Sequence, residues 1–222
     1  GIAVGVSVQI FIGSLIGGLQ DSLVDKTIGS SSHVTIAPTE NNAFFGDLET
    51  KITTIEETSN SFTVVTPVLN TPGFLFFEEN SSDTLLRGLD FPDANIIYNL
   101  EDRLEGTLPT GDNQIIVGIG MKEVLGLSLN DTLTFQLPQT SNEDPINATL
   151  TVVGFFDFNV ATINRTWVIS SLSTAQNITG QVGKANRIET QVSDVFSAEL
   201  ISPDVTSALN DDSLTVTDWM AE

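Results

Sequence analysis

The chain opens on nineteen residues, GIAVGVSVQIFIGSLIGGL, of which eleven are Ile, Ala, Val, Phe or Leu, five are Gly and none is charged. An uncharged run of this length approaches the roughly 20 residues that cross a hydrocarbon core as a helix. The Gly1/Gly5 and Gly13/Gly17 spacings would let a second helix approach closely within the membrane. A secretory signal would need a basic leader and a small-residue cleavage site, and neither is present. The other reading of the segment is a buried glycine-rich helix. From Leu19 the pattern turns amphipathic: in LQDSLVDKTIG, Leu19, Leu23 and Ile28 are apolar while Asp21, Asp25 and Lys26 are polar. This predicts a helix leaving the membrane as a stalk, ended by Gly29 and the Ser30–Ser32 run. The absent initiator Met suggests an excised piece of a longer protein.

Beyond the stalk, period-2 and period-3.6 patterns alternate. Ser32–Ala37 reads as a strand, Asp47–Ser59 as an amphipathic helix with Leu48, Ile52 and Ile55 in register, and Thr63–Leu69 as a strand nicked by Pro67. Short extended runs follow at Gly73–Phe77, Thr84–Leu89 and Gln114–Gly118. A short helix to Leu125 comes next, then strands at Thr132–Leu137, Thr149–Phe156 and Thr166–Ser170 and a helix over Ser173–Ile178. The end repeats the beginning in kind: strand Arg187–Val192, a helix from Val195 interrupted where Ser202 caps and Pro203 starts a new turn, and strand Leu214–Thr217. Two β-α-β units flanking a strand-rich middle predict an α+β protein, with one subdomain built from both ends of the chain and a second inserted between them.

Composition removes several functions. With 29 acidic against 8 basic side chains in 222 residues, the net charge is −21 and the cations are scattered. Nucleic acid and anionic lipid surfaces, which need a basic face, are therefore disfavoured partners. No cysteine is present, which excludes disulfides and thiol chemistry, and His33 is the single histidine, so it reads as a structural side chain. The carboxylate pairs Glu56-Glu57, Glu78-Glu79 and Asp211-Asp212 and the cluster Glu101, Asp102, Glu105 are what chance supplies in so acidic a chain, and read as solvated faces. Asp157-x-Asn159 stops short of a calcium loop, and no phosphate-binding glycine loop occurs. Five N-x-S/T sequons, at Asn80, Asn130, Asn147, Asn164 and Asn177, are few more than chance gives. No catalytic, cofactor-binding or metal-binding residue is assigned.

Several segments, taken in order, resemble the extracytoplasmic core domain of ABC-transporter permeases of the MacB, LolC/LolE and FtsX group. GIAVGVSVQIFIGSLIGGLQDSLVDKTIGSSSHVTI is similar to the family's first transmembrane helix, stalk and opening strand. DTLLRGLD resembles a strand closing on Gly and an acid. EGTLPTGDNQIIVGIGMKEVLGLSLNDTLTFQL carries the longest match, followed by TLTVVGFFD, SSLSTAQNITG and VTDWMAE. Asn130 stands where the family has Gly before Asp131, which the left-handed tolerance of Asn permits. Lys122 and Ser171 stand where a small residue and Pro are common.

The resemblance implies a porter-like subdomain with an inserted sabre-like one. The expected division is 1–28 transmembrane end and stalk, 29–96 first porter half, 97–183 sabre, 184–217 second porter half, and 218–222 the return to a second transmembrane helix. It further implies a mechanical, non-enzymatic part of a cell-membrane permease, on the extracytoplasmic side. The implied partners are an ABC ATPase subunit, a second permease subunit, the membrane through residues 1–19, and an outside substrate or acceptor protein. Substrates of the group include lipoproteins, lipids, peptides and amphiphiles. Competing readings are an anchored acidic adhesion or calcium-binding module, and a surface carboxylate hydrolase. Two surface features remain ambiguous: Pro138–Asn147 is either a mobile contact tip or a tolerated insertion, and Phe74–Glu79 (FLFFEE) reads as an inward-facing strand in preference to an exposed patch.

Overall fold

The computed structural model describes residues 31–40, 43–138 and 144–220. The expected span over 1–19 and the stalk at 20–28 lie outside the described residues, as do the middle of the Pro138–Asn147 loop and the last two residues of the expected return. Among the described residues no helix is long and apolar enough to cross a membrane.

The alternating valines and isoleucines at the start of the described chain form β1 (Val34–Pro38), followed by α1 (Leu48–Thr58) and β2 (Phe62–Phe77). The corresponding unit at the other end is β9 (Arg187–Val192), α6 (Ala198–Leu209) and β10 (Leu214–Asp218), in a chain whose intervening strands are β3 to β8. The two units interlock: the strand order is β10-β1-β9-β2, every neighbouring pair antiparallel. Each β-α-β unit therefore brackets a strand of the other, the split β-α-β arrangement. Val34, Ile36, Ile188 and Val192 share one core with Ile55 of α1 and Ile201 and Val205 of α6. α6 is not broken at Pro203 as the sequence suggests. Ser202 lies inside the helix with its hydroxyl donating to the Ala198 carbonyl, because Ile201 and Val205 are both buried and packing outweighs the lost backbone bond. The carbonyl that Pro203 leaves free belongs to Glu199, an exposed residue that water can reach.

β2 has 16 residues where two short runs were expected, and its two halves serve different sheets. Phe62–Val68 pairs with β9, and Leu69–Phe77 pairs with β3 (Asn80–Leu89). Both prolines fit because alternate residues of a strand direct N–H and C=O to one side. Val68 and Asn70 bond toward the β9 side, so the Pro67 nitrogen faces the β3 side before β3 pairing begins, and Pro72 faces the gap left between β9 and the strand Thr132–Leu137.

The middle of the chain adds α2 (Phe91–Tyr98), β4 (Leu104–Gly106), β5 (Gln114–Gly118), α3 (Ile119–Leu125), β6 (Thr132–Leu137), β7 (Ile146–Phe156), α4 (Ala161–Thr166), β8 (Trp167–Ser171) and α5 (Leu172–Thr179). Hydrogen-bonded neighbours run β2-β3-β8-β5-β7, and β6 joins β7 back to β2, so the strands form a ring. Leu75, Leu86, Val168, Val117, Val152 and Phe135, one from each strand, meet in its core. Closure removes two sheet edges that would otherwise be open to pairing.

The change of sheet falls inside β2, between Val68 and Leu69, and not at 96/97 as the sequence suggested. β3 is bonded to β8 of the inserted part, so residues 69–96 belong with the ring. α2, not foreseen as a helix, starts on an Asp90 cap with Pro92 in its first turn and packs Ala94, Ile97 and Tyr98 against Val64 and Val68 of the first sheet and Ile116 and Phe156 of the ring. It is the wedge between the two.

Candidate functional site at the junction of the sheets

The two buried charged side chains of the described residues meet where β2 changes partners. Arg87 of β3 is 1% exposed. Its Nη2 pairs with Glu189 of β9, its Nη1 donates to the Tyr98 hydroxyl at 3.1 Å, and its Nε donates to Asn70 Oδ1 at 3.0 Å. Its guanidinium carbon stands 3.9 Å from the centre of the Trp167 ring. Glu189 also accepts from Arg187 Nε at 2.9 Å and from the Tyr98 hydroxyl, and Arg187 Nη2 donates to Thr35 Oγ1 at 3.2 Å. One cluster thus joins β1 and β9 of the first sheet, β2, β3 and β8 of the ring, and α2.

Burial alone would push the Glu189 carboxyl up. The charges of Arg87 and Arg187, with hydrogen bonds from Tyr98 and Arg87, outweigh it and hold the group ionised, below the usual carboxylate range. Burial pushes the Tyr98 phenol up and keeps it neutral despite the nearby Arg87. For Arg87, burial opposes the charge but the attraction of Glu189 prevails, so its pKa is raised. Both Glu189 oxygens and all three Arg87 nitrogens have protein partners, as a buried ion pair requires. A cavity of about 180 Å³ opens beside the cluster, lined by Arg87, Tyr98, Trp167, Glu189 and Ser32 among others. A cleft of about 400 Å³ lies at the same junction, between Phe44 and Asn186 on one side and Pro72, Leu137 and Ile146 on the other, with no ionisable group in its lining.

The residues weighed in the sequence are not gathered here. His33 is buried in the first sheet, where Nδ1 accepts the Val192 N–H at 3.2 Å and burial lowers its pKa. Glu105 pairs with Lys122 and Asp211 with Lys51, at separate places on the surface. Asp157 accepts from Asn159 N–H and Asn164 Nδ2 in a local turn. Among the described residues no three His, Asp or Glu side chains come close enough to hold a metal ion. Asn164 is buried, with its amide oxygen accepting from Phe158 N–H, so of the five sequons this one is closed to a glycan in the folded chain. In FLFFEE only Leu75 points fully inward, while Phe74 and Phe76 are exposed, contrary to the inward reading. Asn130 has φ of 70°, the left-handed conformation expected of it. Sequence reasoning missed the junction cluster. Its available signals were a lone cation inside the apolar run LLRGL and the chain's single tyrosine, but the partner carboxylate lies 102 positions away.

A family model described as the MacB-like periplasmic core domain matches residues 1–208. The chain belongs to that family. It is thus the extracytoplasmic domain of a MacB-type ABC permease. Two solved structures are similar in fold. The extracellular domain of the noncanonic ABC-type transporter YknZ from Gram-positive bacteria aligns with a TM-score of 0.57 at 14% identity, covering 84% of this chain and 99% of its own. The periplasmic region of MacB from Actinobacillus actinomycetemcomitans aligns with a TM-score of 0.58 at 16% identity, covering 88% and 92%. Comparison with curated proteins gives no match. Membership places the domain outside the cytoplasm, in the setting of a membrane transporter.

Proposed function

We propose that this domain transmits mechanical displacement and performs no bond chemistry: ATP hydrolysis by a partner ATPase subunit moves membrane helices, and the domain carries that movement outward to a substrate or acceptor, in concert with a second permease subunit. One observation carries the reading. The first and last described segments are bonded side by side, with Val34 paired to Asp218 and the Trp219 N–H donating to the His33 carbonyl at 3.1 Å, so both connections enter the first sheet at the same end. A push applied there reaches β9 and then β2, which continues without a break into the ring. The junction cluster supports the reading because it ties the ring to the first sheet with charge-assisted bonds and leaves no loose hinge between them. The substrates fitting the family are lipoproteins, lipids, peptides or amphiphiles.

The test uses the full-length permease with its ATPase in liposomes. Spin labels at Val182→Cys, an exposed site in a domain without cysteine, report the distance between the two domains of the assembly. A shift in that distance between nucleotide-free and vanadate-trapped states is expected. An unchanged distance during full transport would overturn the reading.

A further inference from the structure

One edge of β2 is left without a strand between β9 and β6. Along it Val68 accepts from the Asn186 N–H at 3.1 Å. The Asn186 side chain then stands in for a strand: its Oδ1 accepts the Asn70 N–H and its Nδ2 donates to the Asn70 carbonyl, both at 2.8 Å. The next residue to bond toward that side is Pro72. The β2–β6 register, with Phe74 opposite Gln136, brings Pro72 opposite Pro138 when it is extended by two residues. Neither proline has an N–H to give, so the ladder stops there, and the Pro72 carbonyl faces the cleft of about 400 Å³ without a strand partner. Gln181 lines the same cleft. Its loop is held on both sides: its N–H donates to the Gln176 carbonyl at 2.9 Å and its carbonyl accepts from the Lys184 N–H at 3.0 Å. Gln181 Oε1 is buried and has no hydrogen-bond partner among the described residues. A covered amide oxygen without a donor is costly, so a donor brought into the cleft gains more there than it does in water. The side chain has three rotatable bonds, through which the amide can turn toward such a donor.

We propose that this cleft binds an uncharged amphiphile, its tail seated between Phe44, Leu137 and Ile146 and its hydroxyl or amide N–H head donating to Gln181 Oε1 and the Pro72 carbonyl. The lining is apolar walls and neutral polar groups, with no ionisable side chain. A carboxylate or phosphate head needs donors or a cation where the two groups described here offer acceptors. Lys184 stands over the Phe44 ring at 5.3 Å, outside that lining. An ammonium head finds acceptors but no counter-charge, and burying it unpaired costs more than burying a neutral head. The volume lies within the range of about 300–1,000 Å³ usual for small-molecule sites. The inference goes beyond the transmission reading, because it makes the domain a receptor in its own right. Its test reads binding without nucleotide or transport, so its failure leaves that reading untouched.

Photolabelling of the full-length permease in nanodiscs decides the matter. The probe is monooctanoylglycerol with a diazirine at the end of its chain, and probes with the same tail and a carboxylate or an ammonium head are run beside it. The glyceryl probe is expected to label peptides bearing Phe44, Leu137 or Ile146 saturably, and excess unlabelled monooctanoylglycerol to suppress that labelling. Gln181→Leu should weaken it about three- to ten-fold, the loss of one neutral hydrogen bond. Gln181→Glu, of nearly the same shape, should move the preference to the ammonium probe, a gain that a misfolded chain cannot show. Equal labelling by all three heads, labelling unmoved by both Gln181 changes, or no saturable labelling of these peptides would each overturn the proposal. So would labelling that appears only after residues 139–143 are replaced by a Gly-Ser linker of equal length, which would assign the cleft to the chain itself.

Discussion

Removing either partner of the buried Arg87–Glu189 pair strands the other in the interior. Glu189→Gln keeps the shape but removes the carboxylate that faces the buried Arg87 guanidinium, at an expected cost of about 3–5 kcal/mol. Denaturant unfolding of Glu189→Gln, Arg87→Met and the double variant Arg87→Met/Glu189→Gln should show the double losing less than the two singles added together. Additive losses would mean that the two side chains do not act as a pair. His33 gives a pH dependence. Burial lowers its folded pKa below the unfolded value, so the unfolded chain takes up the proton first. The resulting stability is full above the unfolded pKa of about 6.5 and falls as pH drops through it toward the folded value. The stability difference between the natural chain and His33→Asn should therefore be flat above pH 7 and decline below it, read from melting curves at several pH values. The residue scale is also where the sequence was least informative. His33 was legible as structural because one histidine without a partner has little chemistry open to it. Arg87 and Glu189 meet only through pairings between distant strands, which no local pattern reveals.

Elements with a strong period were legible to within a residue or two: β1, α1, β5, β6, β9 and β10 are found where alternation or helical spacing placed them. Errors fell where two local rules competed with packing. Pro67 suggested a nick and the expected strand stopped at Leu69, yet Pro67 and Pro72 both occupy positions whose nitrogen has no strand to bond. α2 went unread because its eight residues are apolar on too many sides to show a stripe, being packed against both sheets. α6 was divided at Pro203 by a rule that tertiary packing overrode. Pro203→Ala should restore the bond to the Glu199 carbonyl and stabilise the protein by about 1 kcal/mol, after the greater freedom of the unfolded chain is set against the helix gain. Gly118 ends β5 under a tighter constraint. A Cβ there would lie 2.3 Å from the backbone oxygen of Asn164 in α4, an atom that cannot step aside as a side chain could. Gly118→Ala is expected to cost about 1–3 kcal/mol, measured by denaturant midpoint.

At the scale of the molecule, fold class and family were legible because the order of weak apolar segments is preserved along the chain, while the border between the two parts was not. Sequence gives no sign that one strand is shared, since both halves of β2 read as ordinary short strands. Sharing has a thermodynamic result. Val64 and Val68 of the first sheet and Ile116 and Phe156 of the ring lie in one core with α2 between them, so neither part opens without exposing the other. Calorimetry of the domain should give a single transition with matching calorimetric and van't Hoff enthalpies; two separated peaks would show the parts to be independent.

The 16 residues of β2 have a geometric consequence as well. At a rise of about 3.3 Å per residue the strand measures roughly 50 Å from Phe62 to Phe77. Tilting its base by about 10° sweeps the far end through some 9 Å, about twice the spacing of neighbouring strands. A small rotation at the base of the first sheet is therefore a displacement of several ångströms at the exposed rings of Phe74 and Phe76.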